Sequence, residues 1–131
     1  MQSISNEKII DMLDYVKHQA EFVIETTKNV SAYNDFLLTQ EGIVLYNSSC
    51  MCMQTIGETL KQIDNLTEHT LLCNYHNIPW QHVFGMRNII AHEYASTDPE
   101  IIFNSIKEDL QPLLDEVNLI ILDFQDGKYK Y

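Results

Sequence analysis

The chain has 131 residues, and its 19 Asp plus Glu against 8 Lys plus Arg give a formal net charge of -11. This length predicts a single domain over residues 1–131, large enough to bury a core without disulfides or metals. The charge argues against a protein that holds duplex DNA or a membrane surface by bulk electrostatics. An apolar fraction of 45 % excludes a disordered acidic tail. The charge does not exclude one focused anion site, and Arg87, the only arginine, is the candidate position for such a site.

The cysteines and the N-terminal residues indicate the cellular compartment. Cys50, Cys52 and Cys73 show no disulfide-framework spacing and are expected to be reduced, packed thiols. The first residues carry acids where a signal peptide would be apolar. No apolar run approaches the ~20 residues that a membrane helix requires. The sequence therefore predicts a cytoplasmic protein without membrane association.

Helical periodicity is clear in the first segment of the chain. Apolar residues from Ile9 to Val23 recur at spacings of three and four, which predicts an amphipathic helix over roughly residues 5–27. Ser31 then occupies the position of an N-cap. We expect it to start a short helical piece over residues 32–38.

A second long helix follows. Thr39 is its predicted N-cap, with Gly42 tolerated in the first turn, and the helical period continues to about Asn65. Residues 67–77 lack periodicity, so this stretch is predicted to be a loop or short turn.

Two further helices are marked by proline and its neighbours. Pro79 suits the first position of the third helix, because its missing N–H has no helical partner there. Asp98 and Pro99 form an N-cap and first helical residue for the last helix. We expect a kink near Pro112 and an end at Gly127. With no strand-period run, the chain predicts an all-α antiparallel bundle of four main helices plus a short one.

The third helix concentrates residues that carry chemistry. Residues 78–98 include the only Trp, the only Arg and two of the five His. Arginine offers a planar fork for phosphate, and histidine titrates near neutral pH. Together, Arg87 and His92 would suffice for metal-independent RNA cleavage. Histidine would move a proton at the ribose 2′-hydroxyl or the leaving oxygen, and arginine would stabilise charge on phosphorus.

The spacing of these groups has a structural consequence. Arg87 and Tyr94 share almost one helix face, and Asn88 and His92 share another, but Arg87 and His92 are about 140° apart. The long Arg87 side chain can cover part of that separation, and a symmetric dimer, in which two copies of this helix could line one cleft, can supply the rest. On spacing alone, a structural alternative is favoured. In it Arg87 pairs with an acid such as Glu93, and His92 is a half-buried structural histidine.

A family resemblance strengthens the chemical interpretation. The run GMRNIIAHEY, residues 85–94, resembles the R-x4-H signature of the HEPN superfamily, and Tyr94 extends it to the R-x4-H-x-Y form of HepT-like proteins. IPW at residues 78–80 and IGET at residues 56–59 are also similar to that family. The resemblance covers nearly the whole chain. It implies a HEPN-like, all-helical homodimer with its active site at the dimer cleft.

The resemblance also implies roles for individual residues. HepT-like proteins are RNase toxins paired with a minimal nucleotidyltransferase antitoxin, which implies an RNA substrate and no metal or other cofactor. Arg87 and His92 correspond to the catalytic pair, Asn88 to the polar residue after the arginine, and Tyr94 to the acceptor of AMP. Glu58, in the IGET stretch, is given a supporting role such as orienting Arg87. We expect adenylate groups on Tyr94 to lie beside Arg87 and to prevent RNA from binding there.

The charge distribution leaves other interpretations open. No lysine lies within residues 78–98, so RNA would approach a strongly acidic protein. One alternative is a catalytically silent helical subunit that binds the nucleotidyltransferase, and another is a plain structural bundle. The intact motif favours the nuclease, whereas the acidic balance favours the silent subunit.

Two further groups of residues are assigned ordinary roles. Cys73, His76 and His82 are close in sequence, but their spacing fits no standard zinc template, so no metal site is predicted. Cys73 is expected to be packed. His82 lies on the same helix as Arg87 and could border the cleft, but a solvated helix histidine is favoured. For the aromatic stripe of Trp80, Phe84 and Tyr94, core packing or a dimer interface is favoured over base stacking.

Overall fold

The computed structural model describes residues 5–93 and 98–128, except for the side chains of Arg87, Ile89, Ala91, His92 and Glu93. Within this part of the chain the regular structure is helical, without strands, which confirms the predicted all-α fold. The helices follow in chain order as α1 (Asn6–Thr26), α2 (Gln40–Leu66), α3 (Trp80–Glu93), α4 (Pro99–Asn104) and α5 (Leu110–Gln125).

The first helix forms as its apolar period predicts. Ser5 caps it, because the Ser5 hydroxyl oxygen accepts a hydrogen bond from the Lys8 N–H at 3.1 Å. Its inner face is buried against the core at every predicted apolar position: Ile9, Leu13, Val16, Ala20 and Val23. Burying each of the larger side chains contributes about 1.5–3 kcal/mol relative to leaving it in water.

The short helical piece differs from the prediction. It is a 3₁₀ turn over Tyr33–Phe36, and Ser31 is not its N-cap. The carboxylate of Asp35 instead accepts hydrogen bonds from the Ser31 N–H at 2.9 Å and the Ala32 N–H at 3.3 Å. These bonds, that from Ser31 first, lower the pKa of Asp35. The prediction failed because the Ser31 hydroxyl donates to the Asp35 carboxylate at 3.2 Å, and Ala32 is the residue that precedes the turn.

The second helix begins as predicted. The Thr39 hydroxyl oxygen accepts a hydrogen bond from the Gly42 N–H at 2.9 Å, and the helix ends one residue beyond Asn65. Gly42 is buried, and a Cβ atom there would overlap the backbone carbonyl oxygen of Asp35. The glycine therefore lets the 3₁₀ turn lie directly against the first turn of α2.

The connection after α2 contains two residues with left-handed backbone. Glu68 has φ 54° and His69 has φ 64°. The His69 N–H donates to the Asp64 carbonyl oxygen at 2.8 Å, and its ring nitrogen Nδ1 lies 2.6 Å from Asp64 Oδ2. These contacts offset the cost of a conformation that non-glycine residues rarely adopt. A 3₁₀ turn over Leu72–Asn74 follows, inside the predicted loop.

The third helix starts next to the predicted proline. Pro79 immediately precedes it, and the Pro79 carbonyl oxygen accepts a hydrogen bond from the Val83 N–H at 3.2 Å. The Trp80 indole N–H donates to the Tyr75 carbonyl oxygen at 2.9 Å, and Phe84 is buried. Both side chains pack against the core, which agrees with the core-packing prediction for these two, whereas Tyr94 lies outside the described residues.

The last predicted helix is interrupted. Asp98 caps α4 by accepting a hydrogen bond from the Glu100 N–H at 2.9 Å, with Pro99 in the first turn, as predicted. A π-helical turn over Ser105–Asp109 then joins α4 to α5. Pro112 lacks an N–H, and in a regular α-helix its ring would collide with the Glu108 carbonyl. The wider π turn relieves that conflict, so the irregularity predicted near Pro112 is this turn.

The helices pack around α2, which contacts α1 on one side and α3 on another, while α5 packs against α1. Cys50 and Cys52 are buried free thiols, and burial raises the pKa of each. Cys73 is exposed, which corrects the prediction of a packed thiol, because Leu72 takes the buried position in its turn. In the described part of the chain, no helix combines the length and the apolar character needed to cross a membrane.

Candidate functional site

Arg87 and His92, the predicted catalytic pair, both belong to helix α3. The helix runs without a break from Trp80 to Glu93, so Arg87 and His92 are separated by about 7.5 Å along the axis and about 140° around it. Asn88 is exposed on the same helix. The side chains of Arg87 and His92, and all of Tyr94, lie outside the described residues. The backbone therefore keeps the two predicted catalytic positions on different faces of one helix.

Helix α2 runs antiparallel beside α3. Near the middle of α2, Met51 and Gln54 line a cavity together with Ile90 of α3. Farther along α2, the Lys61 ammonium lies over the ring of Phe84, which is one to two turns earlier in α3. The middle of α2 therefore flanks the half of α3 on which the predicted catalytic pair lies.

Glu58 lies on α2 between these two contacts. Its side chain is half-buried, and its Oε1 accepts a hydrogen bond from the Gln54 amide at 3.2 Å. Because Lys61 contacts Phe84 and Gln54 lies near Ile90, the antiparallel register places Glu58 beside the turn of α3 between them. That turn includes Arg87, which is compatible with the predicted supporting role.

A shallow cavity of about 400 Å³ opens where α2 meets the second half of α3. Amide and hydroxyl groups lie beside apolar side chains on its wall, which is formed by Asn47, Met51, Gln54, Thr55 and Ile90. Met51 is 72 % exposed, and Val44, two turns earlier on nearly the same face of α2, is 67 % exposed. This part of the surface offers hydrogen-bonding groups next to apolar side chains that the chain itself leaves uncovered.

A second cavity, of about 190 Å³, lies between the start of α3 and the π-helical turn. Its floor is apolar and includes Ile56 and Met86, whereas Glu108 and Asp109 contribute carboxylates. His82 is exposed, as the favoured prediction of a solvated helix histidine requires, and it lines this cavity rather than the one beside Ile90.

Among the side chains that the structure describes, no group of three or more His, Cys, Asp or Glu is arranged to hold a metal ion. The zinc candidate formed by Cys73, His76 and His82 is therefore not assembled in the structure.

Sequence reasoning missed one cation beside α3. The Lys61 ammonium lies 5.1 Å from the centre of the Phe84 ring. The contact joins two helices, so neither segment alone carries a signal for it. Only the register of α2 against α3 reveals that a lysine approaches a segment without lysines of its own.

Comparison with known proteins decides the family. A family model described as Ribonuclease HepT-like matches residues 16–120, from the middle of α1 into α5. The chain belongs to the HepT-like ribonuclease family. This membership confirms the resemblance that the sequence stretches on α2 and α3 indicated.

Several relatives of the HepT-like chain are known by name. A proposed RNase of Methanocaldococcus jannaschii is 29 % identical over 105 residues, covering 80 % of this chain and 89 % of the relative. One from Caldanaerobacter subterraneus is 27 % identical over 109 residues, with coverage of 83 % and 90 %. A proposed ribonuclease HepT of Thermococcus cleftensis is 26 % identical over 106 residues, with coverage of 79 % and 86 %. No solved structure gives a significant match.

The two HepT-like sequence stretches meet in the fold. Residues 56–59 lie on α2, where Ile56, Gly57 and Thr59 are buried and Glu58 is half-buried. Residues 85–93 lie on α3, directly beside α2. The two stretches that resemble the family therefore lie on neighbouring helices.

Proposed function

We propose that this protein is a HEPN-type endoribonuclease that cleaves RNA without a metal ion, with Arg87 and His92 as its catalytic pair. The observation that carries this proposal is the packing of α2 against α3. It brings two stretches with family resemblance, residues 56–59 and 85–93, to adjacent helices. Membership of the HepT-like ribonuclease family supports the RNase activity.

The proposed reaction uses proton transfer and charge stabilisation. His92 takes the proton of a ribose 2′-hydroxyl while that oxygen attacks phosphorus, and an acid returns a proton to the departing 5′-oxygen. Arg87 donates two hydrogen bonds to the non-bridging phosphate oxygens as negative charge grows on them. Asn88 supplies an exposed amide beside the arginine, and the Glu58 carboxylate orients the guanidinium.

The proposed active form is a homodimer. Arg87 and His92 are about 140° apart on α3, so one copy of the helix does not direct both to a single phosphate. A two-fold dimer supplies the missing group from its second copy of α3. The exposed apolar side chains of Val44 and Met51, which lie beside the shallow cavity, support contact with a second copy on this face.

We further propose that the protein is the toxin of a toxin–antitoxin pair. Tyr94 follows His92 by two residues, and a minimal nucleotidyltransferase antitoxin would transfer AMP to its phenol oxygen. The added adenylate places negative charge where Arg87 receives RNA phosphate, which blocks the substrate. Replacing Tyr94 with Phe should leave RNA cleavage intact and abolish the transfer. Continued modification of that variant would show that another residue is the acceptor.

A second candidate function rests on the charge of the chain. A net charge of -11 opposes RNA binding and suits a basic protein partner. In this alternative the protein is a catalytically silent helical subunit that binds the nucleotidyltransferase.

A cleavage assay separates the two candidates. Wild-type protein, His92→Ala and the control His18→Ala, which changes an exposed histidine on α1, are incubated with RNA with and without a chelator. We expect chelator-insensitive cleavage that falls by roughly a hundredfold or more in His92→Ala and persists in His18→Ala. No cleavage by wild-type protein, together with a stable complex with the nucleotidyltransferase, would establish the silent subunit instead.

A further inference from the structure

The proposed nuclease needs positive charge that its own helix α3 does not supply beyond Arg87. The protein carries a net charge of -11, and none of its lysines falls within residues 78–98. RNA presents one negative charge at every nucleotide, so a strand that reaches Arg87 also brings neighbouring phosphates against this acidic surface. A cation that receives such a phosphate must come from another element of the fold.

Lys61 is placed to supply this cation. Its side chain is exposed on α2, and its ammonium lies 5.1 Å from the centre of the buried Phe84 ring. An ammonium within about 6 Å of a ring centre is attracted by the ring face, which restrains a long and otherwise mobile side chain. The ammonium is therefore held near α3 before any RNA binds.

Lys61 lies near both sequence stretches of the proposed site, residues 56–59 and 85–93. It follows Glu58 by three residues, so the two lie on neighbouring positions of one face of α2. Its aromatic contact, Phe84, precedes Arg87 by three residues, or about 4.5 Å along the axis of α3. The Lys61 ammonium therefore lies over a residue that is about one turn of α3 before Arg87, the proposed phosphate-binding residue.

Other lysines in the described part of the chain are engaged elsewhere or lie on other helices. Lys28 forms an ion pair with Glu25 at 2.7 Å. Lys107 donates to the Thr27 carbonyl oxygen at 2.7 Å. Lys61 has no carboxylate oxygen within ion-pair distance among the described residues, so its charge is not neutralised by one of them.

We propose that Lys61 binds a phosphate of the RNA strand next to the phosphate that is cleaved. The inference rests on the proposed nuclease function and adds a substrate-binding residue to it. A lysine is a compact point charge without the fork of an arginine, so it attracts a flanking phosphate without stabilising the transition state. Binding that is equal in the ground state and the transition state changes KM and leaves kcat unchanged.

The test compares Lys61→Met, Lys61→Arg and the control Lys8→Met, an exposed lysine on the first turn of α1. Cleavage of a single-stranded RNA oligonucleotide is measured over a range of salt concentrations. For Lys61→Met we expect a severalfold higher KM at low salt and an unchanged kcat. The slope of log KM against log salt concentration should decrease by about 0.7. Lys61→Arg should restore all three values, and Lys8→Met should match wild type.

A second measurement keeps this inference separate from the proposed function. The Kd of the same RNA is measured with His92→Ala protein and with the double variant that also carries Lys61→Met. If wild-type protein cleaves RNA but Lys61→Met leaves KM, Kd and the salt dependence unchanged, the role of Lys61 is overturned and the nuclease stands. A fall in kcat alone would also overturn it. If wild-type protein does not cleave RNA, the nuclease is overturned, and the Kd comparison still decides whether Lys61 binds RNA.

Discussion

The phenol oxygen of Tyr75 lies 2.8 Å from Oδ2 of Asp123, and this hydrogen bond ties the segment before α3 to the second half of α5. The carbonyl oxygen of Tyr75 also accepts the Trp80 indole N–H, so one residue anchors the start of α3 through both its backbone and its side chain. Burial first, and then the bond to Asp123, raise the pKa of Tyr75. The position of α3, and with it the proposed site, depends on this anchor.

Replacing Tyr75 with Phe should therefore destabilise the protein by about 1 kcal/mol near pH 7, because Asp123 loses its partner. The matched control is Tyr15→Phe, since Tyr15 is 49 % exposed on α1. Urea unfolding followed by circular dichroism measures both. The raised pKa of Tyr75 means that its contribution is complete below about pH 10, where tyrosine ionises in the unfolded chain, and is lost at higher pH. A difference between wild type and Tyr75→Phe that stayed constant through that range would contradict the assignment.

The close approach of Gly42 to the Asp35 carbonyl gives a second prediction. A methyl group at Gly42 would push the 3₁₀ turn away from α2, so Gly42→Ala should cost about 1–3 kcal/mol in the free energy of unfolding. Gly85→Ala is the control, because a Cβ there meets no atom within 4 Å. On propensity alone alanine should stabilise α3 by up to about 1 kcal/mol. Equal effects of the two substitutions in urea unfolding would show that the overlap does not govern stability.

The pH dependence of stability should reveal the carboxylate of Asp35. Hydrogen bonds from Ser31 and Ala32 lower its pKa in the folded state, so its contribution is complete above about pH 4 and is lost as the pH falls through the lowered value. Asp35→Asn should therefore lower the urea midpoint at pH 7, and the gap to wild type should close in acid. Asp11→Asn, an exposed carboxylate on α1, controls for the general benefit of removing negative charge. A gap that did not begin to narrow as the pH was lowered below about 4 towards the acid limit of folding would be inconsistent with this role.

Local signals predicted the caps well. Thr39 and Asp98 cap their helices as expected, since each hydroxyl or carboxylate needs only the N–H groups two or three residues ahead. Ser31 does not cap its turn, and the reason is equally local: its N–H and its hydroxyl both donate to the Asp35 carboxylate. The capping preference of a serine therefore depends on whether a carboxylate follows within one turn.

Contacts between helices were beyond what the sequence alone could predict. Pro79 predicts the start of the helix that carries Arg87 and His92, whereas Glu58 is singled out only through the family resemblance. The approach of Lys61 to Phe84 depends on the packing register of α2 against α3, which no local pattern encodes. The exposure of Cys73 was not predicted either. In its 3₁₀ turn Leu72 is the buried side chain, and Cys73 lies at the surface.

The proposed role of Arg87 predicts that a lysine at this position does not support catalysis. Arg87→Lys keeps the charge but replaces a planar fork with a point charge, so it cannot donate two parallel hydrogen bonds to the phosphate. We expect kcat to fall roughly a hundredfold to a thousandfold, while the salt dependence of KM stays close to wild type. Steady-state cleavage kinetics measure both quantities. Full kcat in Arg87→Lys would show that only the charge at this position is used.

The proposed dimer predicts that one exposed methionine controls activity from outside the catalytic pair. Met51 is 72 % exposed beside the shallow cavity, so Met51→Glu should leave the monomer folded while placing a carboxylate in the interface. In a two-fold interface the substitution occurs twice, and the desolvated charges oppose association. Ile101→Glu is the matched control, since Ile101 is 50 % exposed on α4, away from this cavity. Sedimentation velocity should show dissociation of Met51→Glu alone, and its RNA cleavage should be lost because Arg87 and His92 of different copies no longer meet. A Met51→Glu monomer that cleaves RNA at the wild-type rate would show that one chain forms the complete active site.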